Sequence, residues 1–284
     1  MKKIWIVEKH LFPEYENELK DAIISSGESC YMFDDTKHTF NFDKNIKEKF
    51  TNQDWIIFYG SLQRGRQILK ETDFLPGIFL TLENYECYKY YSYYGDNMVN
   101  DNYLFLSFND IIRNKNKIFD FFKTESIFIR PSNGYKTFTG QLLHKDNFEK
   151  ELDTLSKSYG GIDVDQLVLL SSYKKICEES RFVVVNKNGS NSIIDGNVYM
   201  INNELVKHRK VDECALIYAN SIIDKYTPDK AFTIDIAKLE DGSYKVLEIG
   251  SFCCAGLYNM DIEKVVNGIN DLLEYEYKDY WNLI

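Results

Sequence analysis

Residues 231–249 constrain the fold more than any other stretch, because they read as two apolar strands around an Asp-Gly turn. The run is Ala231-Phe232-Thr233-Ile234-Asp235-Ile236-Ala237, then Lys238-Leu239-Glu240-Asp241-Gly242-Ser243, then Tyr244–Ile249. Asp-Gly between apolar strands is a strong hairpin signal, and side chains alternate faces along a strand, so fixing the turn fixes every facing pair. With Asp241-Gly242 as a two-residue turn, Glu240 faces Ser243, Ile236 faces Leu247 and Asp235 faces Glu248. The two carboxylates then have Cβ atoms about 4.5–5.5 Å apart on one face. Ile234, Ile236, Leu247 and Ile249 point to the other face and anchor the sheet. Like charges so placed repel unless something positive lies between them. Mg²⁺, a hard cation held by one or two carboxylates plus phosphate oxygens and water, meets that need. The alternative is that both carboxylates are solvated at a rim.

The 284 residues suffice for about two domains at roughly 150 residues each, and for a core without disulfide staples. Acidic side chains outnumber basic ones by 44 to 34, a formal charge of −10, which argues against broad nucleic-acid binding. No run of about 18 apolar residues is present, so no membrane span is expected. The start, Met1-Lys2-Lys3-Ile4-Trp5-Ile6-Val7, opens like a leader, but Glu8, Lys9 and His10 end the apolar run too early for one. Six cysteines (Cys30, Cys87, Cys177, Cys214, Cys253 and Cys254) form no C-x-x-C pair and meet no clustered histidines, so zinc is not expected. Adjacent Cys253 and Cys254 would be strained as a bridge. Unpaired thiols point to a cytoplasmic protein.

The first 60 residues alternate strand and helix. Ile4–Val7 is a short apolar strand, Pro13 stands where a first helical position would be, and Tyr15, Leu19, Ala22 and Ile23 form an apolar stripe ending at Gly27. Strands over Ser29–Phe33 and Trp55–Phe58 follow, the latter continuous apolar as in a strand covered on both faces. This is βαβ grammar and predicts a parallel sheet. Gly60-Ser61 then reads as a plain strand-to-helix turn, with anion binding at the helix N-terminus as the alternative, and Arg64 and Arg66 read as solvated. Residues 85–94 carry six tyrosines. A base-stacking platform is less consistent with the single Lys89 among Glu83, Glu86 and Asp96 than tyrosines packed at a domain boundary with hydroxyls at the surface.

Beyond a helix over Phe108–Phe122 the grammar changes to strands at Ser126–Arg130 and Lys136–Leu143. They flank Pro131-Ser132-Asn133-Gly134-Tyr135. A strand that delivers Arg130, a glycine loop and a following Lys136 suit a triphosphate, although two surface cations on a hairpin are also common. A helix with Phe148, Leu152, Leu155 and Tyr159 on one face stops at Gly160-Gly161. Strands at Gln166–Leu170 and Arg181–Asn186 follow, then helices over Val211–Tyr226 and Asp261–Tyr275. Glu179 and Arg181 are two apart on a strand, share a face and can touch one ligand, or else form a surface ion pair.

Taken in order, these elements resemble the ATP-grasp superfamily. The nearest likeness is to a phage and bacterial clade with an I-R-P-S-x-x-x-K-x-F-x-G strand-loop motif. Here that motif reads Ile129-Arg130-Pro131-Ser132, Lys136, Phe138 and Gly140. The E-x-R strand (Glu179, Arg181), the Asp235…Glu248 strands and a Gly256-Leu257-Tyr258 segment complete it. The resemblance implies an α/β (α+β) fold: a parallel-sheet pre-grasp domain over 1–124, then a two-subdomain ATP-grasp with antiparallel sheets over 125–284. It implies that Arg130 and Lys136 bind ATP phosphates and that the strand around Leu170 and Ser171 supplies a backbone hinge for adenine. Arg181 would face phosphate or an acyl phosphate, Glu179 would contact nucleotide or metal, and Asp235 and Glu248 would bind Mg²⁺. Arg181 and Lys136 would be the catalytic cations. The implied reaction is ATP-driven joining of a carboxylate to an amine through an acyl phosphate, on a small-molecule or peptide substrate. Alternatives are phosphotransfer and nucleotide binding without catalysis. One departure stands out: the pattern asks for Asn two residues after Glu248, and this chain has Gly250. Ser251 or a water is expected to take the place of the lost oxygen.

Overall fold

Runs of consecutive apolar residues build the first sheet. The computed structural model describes residues 3–36, 40–51, 54–134, 137–158 and 162–282. β1 (Lys3–Glu8), α1 (Glu16–Ser25), β2 (Ser29–Phe33), β3 (Trp55–Tyr59), α2 (Leu62–Glu71) and β4 (Leu75–Gly77) come first. They form a four-stranded sheet in the order β2-β1-β3-β4, parallel throughout. All five residues of β3 are buried, as a strand covered on both faces requires. The helix after β1 starts at Glu16, so Pro13 lies ahead of it rather than at its first position. Three-residue β4, carrying Pro76, is too short to show a period in the sequence. At the Gly60-Ser61 turn, Ser61 Oγ accepts from Arg64 N and the Glu8 carboxylate accepts from Ser61 N at 2.7 Å. The helix N-terminus is thus satisfied by the chain itself. Arg64 is not solvated: its Nε and Nη2 donate to Asp35 Oδ2 at 2.9 and 2.7 Å.

The middle of the chain holds α3 (Cys87–Tyr94), β5 (Tyr103–Ser107), α4 (Phe108–Arg113), α5 (Lys115–Phe122), β6 (Ser126–Pro131), β7 (Gln141–His144), α6 (Phe148–Ser158) and β8 (Leu167–Ser172). The second sheet is antiparallel, ordered β5-β8-β6-β7. Ile127, Ile129, Val168 and Leu170 of its strands pack against Phe119, Phe148 and Leu152 of the helices. The helix expected over Phe108–Phe122 is two helices that break at Asn114, whose backbone (φ −114°, ψ 19°) leaves the helical region within the polar run Arg113–Lys117. Tyr135, Lys136, Tyr159, Gly160 and Gly161 lie outside the described residues.

The last part comprises β9 (Ile176–Lys187), β10 (Ser190–Ile201), β11 (Glu204–Lys210), α7 (Glu213–Ile222), β12 (Ala231–Leu239), β13 (Tyr244–Ser251) and α8 (Ile262–Asn282). Its sheet runs β11-β10-β9-β12-β13. The turn between β12 and β13 differs from the expected one. Gly242 N donates to Leu239 O, and Leu239 N to Ser243 O, both at 2.9 Å. Glu240 and Asp241 are therefore the central residues, Gly242 takes the left-handed position at φ +83°, and Glu240 does not face Ser243. This is a three-residue loop ending in a glycine bulge, reinforced by Asp241 Oδ1, which accepts from Ser243 N and Oγ. Further along, Thr233 Oγ1 donates to Gly250 O at 3.3 Å.

Packing divides the chain into two units. One is Met1–Thr81, Glu178–Ile236 and Ile249–Ile284; the other is Leu82–Cys177 and Ala237–Glu248. They interleave along the sequence, and so partition the chain differently from a functional division at residue 124. In the first unit, Trp5, Tyr59, Val183, Ala231 and Phe252 share a core with the apolar face of α8. Trp5 Nε1 donates to Asn270 Oδ1 at 3.0 Å, which ties α8 to β1. Phe252 is fully buried, with ring centroids 6.4 Å from Trp5 and 5.7 Å from Tyr59. Phe252→Ala is expected to cost about 3–5 kcal/mol of stability, read as a lowered urea midpoint; an unchanged midpoint would contradict this placement of the core.

Candidate functional site

The first unit buries an arginine and an aspartate against each other. Arg181 on β9 is 9% exposed and Asp235 on β12 is 2% exposed. The guanidinium forks the carboxylate, Nε to Oδ1 and Nη2 to Oδ2, both at 2.8 Å. Nη1 donates to Gly256 O at 3.2 Å. Tyr199 on β10 donates to Glu179 and lies 3.3 Å from Asp235 Oδ2. Glu179 and Arg181, on one face of β9, are thus joined through Tyr199 and Asp235. The rings of Tyr199 and Tyr258 stack at 4.7 Å with 6° between planes, and the guanidinium carbon lies 5.3 Å from each centroid. Burial works against the charge of Arg181, and Asp235 outweighs it, so the guanidinium holds its proton more firmly than usual. Burial, with Asp235 and Glu179 beside it, pushes the Tyr199 hydroxyl well up, so it acts as a neutral donor.

A relay of hydroxyls fixes the segment that follows β13. Leu257 N donates to Tyr15 OH at 2.9 Å, the Tyr15 and Tyr59 hydroxyls are 2.8 Å apart, and Tyr59 OH donates to Ala255 O at 2.5 Å. With Arg181 on Gly256 O, three consecutive residues are held by side chains from distant elements. Tyr258 takes a positive φ of 51°, a strained conformation for a residue with a side chain. It brings the ring to Tyr199 and Arg181. Tyr15, Tyr59 and Tyr199 escape sequence reasoning as site residues, since nothing in their local pattern separates them from core tyrosines, whereas Tyr258 belongs to the Gly-Leu-Tyr segment noted there.

In the second unit, Arg130 on β6 donates from Nη2 to Glu248 Oε2 on β13 at 3.0 Å. Burial works against the Arg130 charge, but Cys87, Tyr90, Glu248 and Tyr91 around it outweigh that and hold the proton. Cys87, Tyr90 and Tyr91 belong to α3, which gives the tyrosine-rich stretch its role: Tyr85, Tyr90, Tyr91 and Tyr94 are buried, while Tyr88 and Tyr93 are exposed. The buried hydroxyls are not at the surface. Tyr91 OH accepts from Asn100 Nδ2 at 3.3 Å, and Asn100 Oδ1 accepts from Ser171 Oγ at 3.0 Å. The same helix steadies the loop after Arg130, because Cys87 N donates to Ser132 O at 2.7 Å.

Leu170 and Ser171 are fully buried in β8, registered against both β5 and β6. Ser172 pairs with β6 alone, so chain with backbone to spare begins past Ser171. Lys136 is outside the described residues. Asp235 and Glu248 offer the oxygen donors that Mg²⁺ takes, and in this structure each carboxylate is matched by an arginine. Among the described residues no three His, Cys, Asp or Glu side chains gather at one point. Each carboxylate taken by itself has the hard oxygens that Mg²⁺ takes when phosphate oxygens and water complete its shell.

The mixed sheet architecture defines an ATP-grasp fold. The profile of the ATP-grasp domain, R2K clade family 2, matches residues 111–267, more than half of the chain, and the chain belongs to that family. No curated protein matches. Among solved structures, the D-alanine–D-alanine ligase from Coxiella burnetii is similar with a TM-score of 0.65 at 11% identity, over 100% of this chain and 98% of that one. D-cycloserine synthetase DcsG gives 0.63 at 13% identity, over 95% and 99%. D-alanyl-alanine synthetase A from Vibrio cholerae O1 biovar eltor gives 0.60 at 13%, over 96% and 98%. At these identities the likeness is one of fold. Among the described residues no helix is long and apolar enough to cross a membrane.

Removing one member of the Arg181–Asp235 pair leaves a buried uncompensated charge. Asp235→Ala is expected to destabilise by about 3–5 kcal/mol, and the double variant Arg181→Leu/Asp235→Ala by less. Urea unfolding of the wild type and the two variants checks this, and a double variant that loses as much as Asp235→Ala or more would contradict it.

Proposed function

We propose that the protein is an ATP-dependent carboxylate–amine ligase. A substrate carboxylate attacks the γ-phosphorus of ATP and releases ADP; an amine then attacks the acyl phosphate, forms an amide and releases phosphate. The observation that carries this reading is the pairing of Asp235 with Arg181 and Glu248 with Arg130 in a chain of the ATP-grasp family. Each carboxylate is neutralised by a guanidinium that has N–H donors suited to phosphate oxygens. Asp235 and Glu248 would hold Mg²⁺ with the nucleotide. When bound, that ion would spread the charge developing on the transferred phosphoryl group.

Arg181 would contact the transferring phosphoryl group, and Arg130, with Lys136, the remaining phosphates. Arg181 and Lys136 are the catalytic cations, each stabilising charge that grows in the transition state. Glu179, tied to Tyr199, contacts the nucleotide or its metal. The adenine edge meets backbone where β8 runs out past Leu170 and Ser171. In this reading residues 1–124 serve as the pre-grasp domain that recognises the acceptor, and 125–284 hold the nucleotide. The strand-loop from Ile129 to Gly140 is the triphosphate-binding motif of the phage and bacterial clade. An amino-acid-like or peptide substrate is supported by the names of the structural neighbours. All six cysteines are thiols rather than disulfides, which supports a cytoplasmic setting.

Gly250 favours one second reading, a nucleotide-binding module without turnover. Product analysis over a panel of amino acids and dipeptides separates them. ADP, phosphate and a new amide are expected. AMP and pyrophosphate, or a phosphorylated acceptor without an amide, would overturn the ligase reading, and nucleotide binding with no products would favour the module. Lys136→Ala is expected to weaken ATP binding about tenfold, as loss of one charge-assisted contact of about 1.5–3 kcal/mol implies; unchanged affinity in calorimetry would remove Lys136 from the site.

A further inference from the structure

β12 is buried almost throughout, and its two buried polar side chains are Thr233 and Asp235. Two residues apart on a strand, they share a face. A hydroxyl in a strand interior carries a desolvation cost that valine would avoid, so Thr233 calls for a partner. Its only hydrogen bond among the described residues is the long one, 3.3 Å, that it donates to Gly250 O. A hydroxyl has one proton and two lone pairs; with the proton committed to that carbonyl, the lone pairs face elsewhere.

Gly250 decides where they face. A Cβ built on Gly250 would sit 2.9 Å from Thr233 Oγ1 and, apart from its chain neighbours, meet nothing else within 4 Å. The missing side chain therefore leaves open space whose one protein wall is the Thr233 oxygen. Ser251, one of the two stand-ins expected from sequence, is committed elsewhere: it is 8% exposed, and its hydroxyl donates to Phe79 O and lies 3.0 Å from Cys253 Sγ.

We propose that Thr233 Oγ1 is an oxygen donor toward the hydrated Mg²⁺ of the bound nucleotide, beside Asp235, and takes the part of the side chain that Gly250 lacks. This rests on the nucleotide-binding reading above. It gives the departure at position 250 a physical logic: a larger residue there would collide with the threonine, so the oxygen comes from one strand or the other, not both.

The test is Mg²⁺ titration at saturating ADP, followed by melting temperature, with Mn²⁺ binding by electron paramagnetic resonance as a second readout. Thr233→Val keeps the shape and removes the oxygen; it is expected to raise the half-saturating Mg²⁺ concentration about tenfold, while Thr233→Ser stays within about twofold. Should Thr233→Val fail to fold, the pair Thr233→Ala/Gly250→Asn and Thr233→Ala/Gly250→Ala decides, since only the first restores an oxygen and is expected to recover Mg²⁺ affinity. Equal Mg²⁺ dependence in wild type and Thr233→Val, or equal affinity in the two double variants, would overturn the assignment of Thr233 alone. A wild type whose ADP response ignores Mg²⁺ would overturn the nucleotide–metal reading as well.

Discussion

The buried ion pair of Arg181 with Asp235 is the interaction on which the rest of the site depends. Taking two charges out of water costs several kcal/mol per ion, on the order given for buried pairs, unless geometry and further hydrogen bonds are good. Here both carboxylate oxygens receive a guanidinium N–H, Tyr199 adds a third contact, and Gly256 O takes a further N–H. Because the arginine is on β9 and its partners are on β12 and beyond β13, satisfying it fixes strand neighbours and the Ala255–Tyr258 segment together. The tyrosine relay through Tyr15 and Tyr59 holds that segment from the side of the parallel sheet. The ion pair thus sits inside a surround of hydrogen bonds that come from distant elements.

The second arginine repeats the device with different means. Arg130 has one contact to Glu248 and a wall of α3 side chains, Cys87, Tyr90 and Tyr91, around its buried guanidinium. Two of the clustered tyrosines, Tyr90 and Tyr91, find their role in this wall. Its hydroxyls face inward to Asn100 and Cys87, so the rings serve as structure rather than as a stacking surface.

What the sequence makes legible follows the range of the forces involved. Continuous apolar Trp55–Phe58 and the Asp-Gly turn are local signals, and β3 and the β12–β13 hairpin form where they point. The parallel order of β1, β2 and β3 follows from the strand–helix alternation. The turn was off by one residue because Asp241 can close an Asx turn onto Ser243 while Gly242 takes the left-handed position, a choice the dipeptide alone does not determine. β4 and β5 had too little periodicity to find. The break at Asn114 falls in the polar run Arg113–Lys117, which reads equally well as the solvent face of one continuous helix. At the site, Arg130, Glu179, Arg181, Asp235 and Glu248 stand out as charges on apolar strands, but their partners do not: Arg181 meets Asp235 across 54 residues and Arg130 meets Glu248 across 118. Such pairings come from topology, which no local pattern encodes.

In the proposed function the arginines hold the carboxylates until nucleotide and cation take their place. A crystal structure with ADP and Mg²⁺ measures this directly. The 2.8 Å Arg181–Asp235 fork is expected to open, with Asp235 turned to the cation and the guanidinium to phosphate oxygens. A nucleotide bound with the fork intact and no phosphate on Arg181 would contradict it.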